Sequence, residues 1–148
     1  MSCEVVTQII INVPVARLWQ ALCDFPAYPD WNPFLRRIEG EPRDGSRLAV
    51  TVHLPGHPSW RLRSRVTRVH SGRELAWLNY LLVPGLLAAE HAFLLVPLDE
   101  HRTQLVQRQR FSGLLSTLVW PIVRKNMRRG LMLMNAALKN FIEKPKKD

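Results

Sequence analysis

The sequence predicts an α+β fold: a curled antiparallel sheet of about seven strands wrapped around one long C-terminal helix, with one or two short helices after the first strand. Three observations predict it. Apolar residues alternate with period two through the middle of the chain and return to period 3.6 between Leu114 and Ile142. Turn-forming clusters separate the alternating runs, so consecutive strands form a meander. The last apolar stretch spans roughly 40 Å as a helix at ~1.5 Å per residue, long enough to cover the concave face of a curled sheet.

Each element has its own reason. Val5 to Ile11 is rich in β-branched residues and reads as a strand. Pro14 suits a helix start, because its missing N–H is unneeded there, and Leu18, Trp19, Leu22 and Cys23 follow at helical spacing. The Phe25–Asp30 segment carries two prolines and stops that helix, with a second short helical turn around Ala27 to Trp31. Phe34 to Glu39 is the next strand, and the stretch from Glu41 to Gly45 is turn chemistry. Leu48, Val50, Val52 and Leu54 alternate with polar or small residues. After a Pro–Gly–His–Pro turn, Trp60, Leu62, Ser64 and Val66 alternate with Arg61, Arg63, Arg65 and Thr67, which places the arginines in water. Glu74 to Leu82, Ala88 to Leu98 and Arg102 to Phe111 supply three more strands, with turns at Pro84–Gly85 and Asp99–His101. In the final helix Val123, Met127, Leu131, Met134 and Leu138 form the apolar stripe, continued by Phe141 or Ile142. Pro121 predicts a kink or a broken first turn there.

The chain has 148 residues, 47% hydrophobic and 22% charged, which suits one self-sufficient core and excludes a disordered or disulfide-knotted chain. One domain is expected over residues 1–143, followed by a disordered basic tail at 144–148. The net charge of +9 is unevenly placed: the first 101 residues hold as many acids as bases, and the whole excess lies beyond them. Such an excess suits a solvated helix face, an anionic membrane or an acidic partner. Nucleic acid is disfavoured, since no recognition motif accompanies the charge. Two cysteines, Cys3 and Cys23, make no disulfide framework and suggest a reducing, cytoplasmic setting. Met1 to Glu4 shows no secretory signal, and no apolar run is long enough for a membrane span.

A curled sheet gripping a helix leaves a mostly apolar concavity, where small ligands bind. Strand parity selects its lining. Trp60, Leu62, Trp77, Phe93 and Leu105 should face inward from the sheet, and Met127 from the helix. The same parity turns the polar residues Asn79, His91, Gln107 and Gln109 inward, where they would orient a ligand's carbonyl or hydroxyl or satisfy one another. Trp31 and Asn32 are candidates for the cavity mouth or for a packing hinge. His91 is the one candidate acid–base group, with no carboxylate placed to orient it because the adjacent Glu90 points to the other face. His53 and His57 have the spacing of helical metal ligands, but the prolines around them forbid a helix, so no metal site is expected. Phosphate-binding and common hydrolase motifs are missing, so no nucleotide or other cofactor is expected. Gly130 in mid-helix implies close approach of a neighbour to the helix backbone. Lys125, Arg128, Arg129 and Lys139 share one side of the helix, with Lys144, Lys146 and Lys147 continuing the charge, and are the candidate contact for an anionic membrane.

The order of elements from Val5 to Ile142 resembles the START-like, polyketide-cyclase-like (SRPBCC) superfamily with its helix-grip fold. The specific local matches are Tyr28 to Phe34, His91 to Leu98, Arg102 to Leu105 and Gln109 to Leu114. The resemblance implies binding of a hydrophobic ligand such as a lipid, sterol, hormone or polyketide, and for some members cyclase or dehydratase activity. It also implies a glutamate where this chain has Gln109, so chemistry that needs a carboxylate there is disfavoured. Non-covalent binding of a small hydrophobic ligand is the first functional reading. A cyclase or dehydratase using His91, without metal or nucleotide, is the second. Lipid handling at an anionic membrane is the third. Oligomeric state is not legible.

Overall fold

A computed structural model describes residues 3–83 and 85–144. Pro84 of the expected turn, and Lys146 and Lys147 of the expected tail, lie outside the described residues.

Strand β1 (Glu4–Ile11) leads into α1 (Val15–Cys23), a 3-10 turn (Phe25–Ala27) and the short α2 (Tyr28–Trp31). Six strands follow: β2 (Leu35–Glu39), β3 (Arg47–His53), β4 (Ser59–His70), β5 (Glu74–Tyr80), β6 (Ala88–Asp99) and β7 (Arg102–Ser112). The long helix α3 (Ser116–Glu143) completes the chain. The sheet order is β1-β7-β6-β5-β4-β3-β2, antiparallel throughout. The meander is therefore the expected one. Its last strand is joined by the first, since Ile9 lies opposite Leu105 and Val5 opposite Gln109. Irregularities at Leu35/Arg37, Val66/Arg68 and Pro97/Asp99 add local twist, which curls the sheet. The arrangement is the α+β helix grip.

Helix α3 packs along β1 and β7, at one side of the sheet. Leu131, Met134 and Leu138 are fully buried in that contact. The other end of the concave face is filled by α1, whose Leu18 and Leu22 are fully buried and which packs against β6 and β7. Between these two fillings the sheet is left uncovered, and that geometry positions the cavity.

Two expectations need correction. The first turn is not broken, since α3 is continuous through Pro121 near its start. The proline removes only the bond to the carbonyl of Thr117, which is solvent-exposed and can be hydrated. Strand β5 stops at Tyr80 rather than Leu82, because the next residues fold toward α3: Leu114 N–H donates to Gly85 O and Leu115 N–H to Leu86 O. Gly113, at φ +104°, permits this, as any Cβ there would strike the Leu86 backbone. Trp60 is on the cavity side of the sheet and is 48% exposed, since it sits near the outer end of the β3–β4 hairpin.

Gly130 is buried against the ring of Phe34, and an added Cβ would lie 2.5 Å from that ring. Gly130→Ala gains ~1 kcal/mol of helix propensity. Overpacking a fixed aromatic costs about 1–3 kcal/mol and outweighs it. A net loss of stability in urea denaturation is expected, and a stabilised variant would contradict the contact.

Candidate functional site

The cavity lies between the sheet and α3 and has a volume of about 600 Å³. Leu35, Val52, Leu62, Ala89 and Phe111 form its sheet wall, and Val119, Val123 and Met127 its helix wall. Leu81, Leu82 and Leu87 from the β5–β6 connection close one side of the mouth. His57 at the β3–β4 turn reaches Asn126 of α3, with Nε2 and Nδ2 3.1 Å apart.

Sheet register explains which expected residues belong to this space. One cross-strand row runs Ser64, Asn79, Ala89, Phe111. The next runs Trp77, His91, Gln109, Val5, and a third runs Leu75, Phe93, Gln107, Thr7. Asn79, His91 and Gln109 line the cavity, together with Trp60, Leu62 and Met127. Trp77, Phe93, Leu105 and Gln107 are fully buried on the same face but lie outside the lining. Parity places them on the correct face; their depth is wrong, because Phe25 behind α1 packs edge-on against Trp77 at 6.0 Å and the core is solid there.

Trp31 and Asn32 do not reach the cavity. Asn32 Oδ1 accepts from the N–H groups of Phe34 (2.9 Å) and Leu35 (2.8 Å), and the Trp31 ring stacks on Phe141 at 5.9 Å. They form the hinge between α2 and β2. His53 Nδ1 is 3.2 Å from Ser59 Oγ, and no cluster of three potential metal ligands occurs among the described residues.

The polar wall has two parts. Ser64 Oγ donates to Asn79 Oδ1 at 2.5 Å. His91 begins a longer chain: Nε2 lies 2.8 Å from Gln107 Oε1, Gln107 Nε2 donates to Asn135 Oδ1 at 2.5 Å, and Asn135 Nδ2 donates to Thr7 Oγ1 at 3.0 Å. Gln107 presents its oxygen to the imidazole, so His91 Nε2 carries the proton and Nδ1 is the acceptor. The ring stacks on Trp77 at 5.2 Å, and burial pulls its pKa down to about 4, opposed by the Gln107 hydrogen bond. His91 is therefore neutral near pH 7. Gln109 Oε1 is buried with no partner among the described residues. Glu90 faces outward, as expected, pairing with Arg68 at 3.0 Å.

Asn135 is the residue that sequence reasoning missed. Its signal was present: a carboxamide between Leu131, Met134 and Leu138 on the buried stripe has to find a polar partner across the interface. Among the expected membrane cations, Lys139 is not free, since its Nζ donates to Ile10 O (2.8 Å) and pairs with Glu143 (2.8 Å).

Solved structures share this architecture. A START superfamily protein from Mycobacterium smegmatis is 21% identical, with a TM-score of 0.75 over 95% of this chain and 97% of that one. An aromatase/cyclase from Streptomyces is 19% identical, with a TM-score of 0.74 over 95% and 93%. Norcoclaurine synthase from Thalictrum flavum, in complex with dopamine and hydroxybenzaldehyde, is 13% identical, with a TM-score of 0.70 over 97% and 88%. At such identities the likeness is one of fold. No curated protein matches the sequence. The sequence itself matches the family described as polyketide cyclase / dehydrase and lipid transport over residues 2–143. With the helix grip, its cavity and a family match spanning nearly the whole chain, the protein belongs to the polyketide cyclase/dehydrase and lipid transport family.

Proposed function

We propose that the protein binds a small hydrophobic ligand non-covalently, of the lipid, isoprenoid or polyketide class, within a single domain formed by residues 1–143. The observation that carries this reading is the cavity of about 600 Å³, apolar on most sides, with the unpartnered Gln109 Oε1 in its wall residue. That volume is in the range of small-molecule sites. Asn79, His91 and Gln109 are the polar side chains of the wall, so the favoured ligand carries a hydrogen-bonding group at one end of an apolar body. Native mass spectrometry of the purified chain, followed by solvent extraction, is expected to release such a molecule. A chain that carries none, and whose anilinonaphthalene sulfonate fluorescence no apolar alcohol displaces, would contradict the reading.

Gln109→Leu separates function from stability. An unsatisfied buried polar atom costs about 1–3 kcal/mol, so its removal should stabilise the empty protein by roughly 1–2 kcal/mol. Binding of an apolar alcohol should weaken about tenfold, equivalent to ~1.4 kcal/mol. Thermal melts and displacement titrations read the two effects. A destabilised variant with unchanged binding would remove Gln109 from the site.

A second reading, a cyclase or dehydratase step with His91 as acid–base group, is favoured by the place of His91 in the cavity wall. The aromatase/cyclase of similar fold supports it by analogy. Against it, a group with a pKa of about 4 is a weak base near pH 7, and a carboxamide rather than a carboxylate orients the ring. Binding without turnover is the stronger proposal.

A further inference from the structure

The most exposed of the large apolar side chains gather around the cavity mouth. Leu114 is 79% exposed, Leu118 70% and Ile122 78%. Leu82 and Val83 of the β5–β6 connection are also exposed, and hydrogen bonds from Leu114 and Leu115 hold that connection against the start of α3. Val119 and Val123, one residue further along, line the cavity. The collar and the cavity are thus adjacent faces of the same helix turns. Isolated exposed leucines are ordinary, whereas a contiguous set beside an apolar opening marks an interaction surface.

Charge identifies the occupant. At ~100° per residue, the steps of four, three and four from Leu118 to Ile122, Lys125 and Arg129 keep these residues within about 60° of one another. Residues 116–142 include no acid. Among the described residues, no acid pairs with Arg124, Lys125, Arg128 or Arg129. Met132 and Leu133 are exposed beyond them and share a shallow hollow with Lys125, Arg128 and Arg129. A second copy of this chain meeting the same face across a two-fold axis would bring these cations together. An anionic lipid surface would neutralise them while taking up the apolar collar. No helix among the described residues is long and apolar enough to cross a membrane, so the contact is peripheral.

We propose that the protein docks reversibly on anionic phospholipid membranes through the apolar collar of Leu82, Val83, Leu114, Leu118 and Ile122 and the adjoining Lys125 and Arg129, with the cavity mouth toward the bilayer. The proposal replaces Lys139 and the polar helix back as the contact and goes beyond ligand binding, since it holds whatever the cavity carries. The test is co-sedimentation of the full chain with vesicles of phosphatidylcholine alone or mixed with phosphatidylglycerol, at low and moderate salt. Binding to the mixed vesicles is expected to exceed binding to the neutral ones at least about tenfold and to fall with salt, since each cation near the surface contributes ~1 kcal/mol, or about fivefold. Leu118→Gln with Ile122→Gln, and separately Lys125→Glu with Arg129→Glu, should each lower it about tenfold or more. All four side chains are solvent-exposed, so melting temperatures should stay unchanged. Equal binding to both vesicle types, binding to neither, or variants that bind like the parent would overturn the proposal. So would a concentration-dependent dimer, abolished by the Leu118 and Ile122 changes, in a protein that ignores vesicles.

Discussion

Trp77→Ala is expected to destabilise the protein by about 3–5 kcal/mol, the usual range for removing a large core aromatic. Trp77 is completely buried. It touches Phe25 edge-on at 6.0 Å, Phe93 at 5.4 Å and the His91 ring at 5.2 Å. Its Nε1 has no partner among the described residues, so the loss of that N–H returns part of the cost and draws the net value toward the lower end. The functional consequence is equally specific. Trp77 sits beside His91 where the open space ends, so truncating it lengthens the cavity along the sheet. Trp77→Phe, a milder change expected to remain folded, should then accept longer apolar alcohols than the parent does. Urea denaturation and chain-length displacement series measure the two effects. A loss below ~1 kcal/mol for the alanine variant, with an unchanged chain-length cutoff, would show that the wall is not built on this ring.

Acid should cost the protein about 3 kcal/mol through His91 alone. The folded-state pKa is about 4, against 6.5 for an exposed histidine, because burial disfavours the imidazolium. Above pH 6.5 the group is neutral in both states. As pH falls from 6.5 toward 4, the unfolded chain binds the proton first, and the stability present above the unfolded value is lost. Below the folded pKa both states are protonated and the loss stops growing. His91→Gln keeps a donor for Gln107 and cannot titrate in this range. Between pH 7 and pH 4 it should lose about 3 kcal/mol less than the parent, a difference that subtracts the contribution of every other group. Parallel losses in parent and variant would place the His91 side chain in water.

The polar wall of the cavity was legible in part. Alternation on β5, β6 and β7 turned Asn79, His91 and Gln109 inward, and all three line the cavity. The same alternation turned Trp77, Phe93, Leu105 and Gln107 inward, and none of them does. Period two reports the face of a sheet and carries no information on position along the strand. That position follows from where α1 and Phe25 fill the concavity, through contacts far apart in sequence. Trp31 and Asn32 show a related difficulty. An aromatic beside an asparagine before a strand suits a cavity rim and an Asx turn equally, and only the bonds from Phe34 and Leu35 to Asn32 Oδ1 decide for the turn.

The sequence by itself determined the helix grip: the strand meander, the long amphipathic helix and the basic bias of the last third are all local patterns, set by side-chain period and turn chemistry. The tertiary structure alone decided that β1 joins β7, that α3 leans on that side of the sheet, and that the resulting gap opens beside Leu118 and Ile122. It also decided that Lys139 is spent on Ile10 and Glu143 while Lys125 and Arg129 stay in water. The physical reason is the same in each case. A periodic pattern states which side of an element is apolar, whereas an unfilled volume, an exposed leucine or a captured ammonium depends on which distant elements happen to cover it, and that is a property of packing.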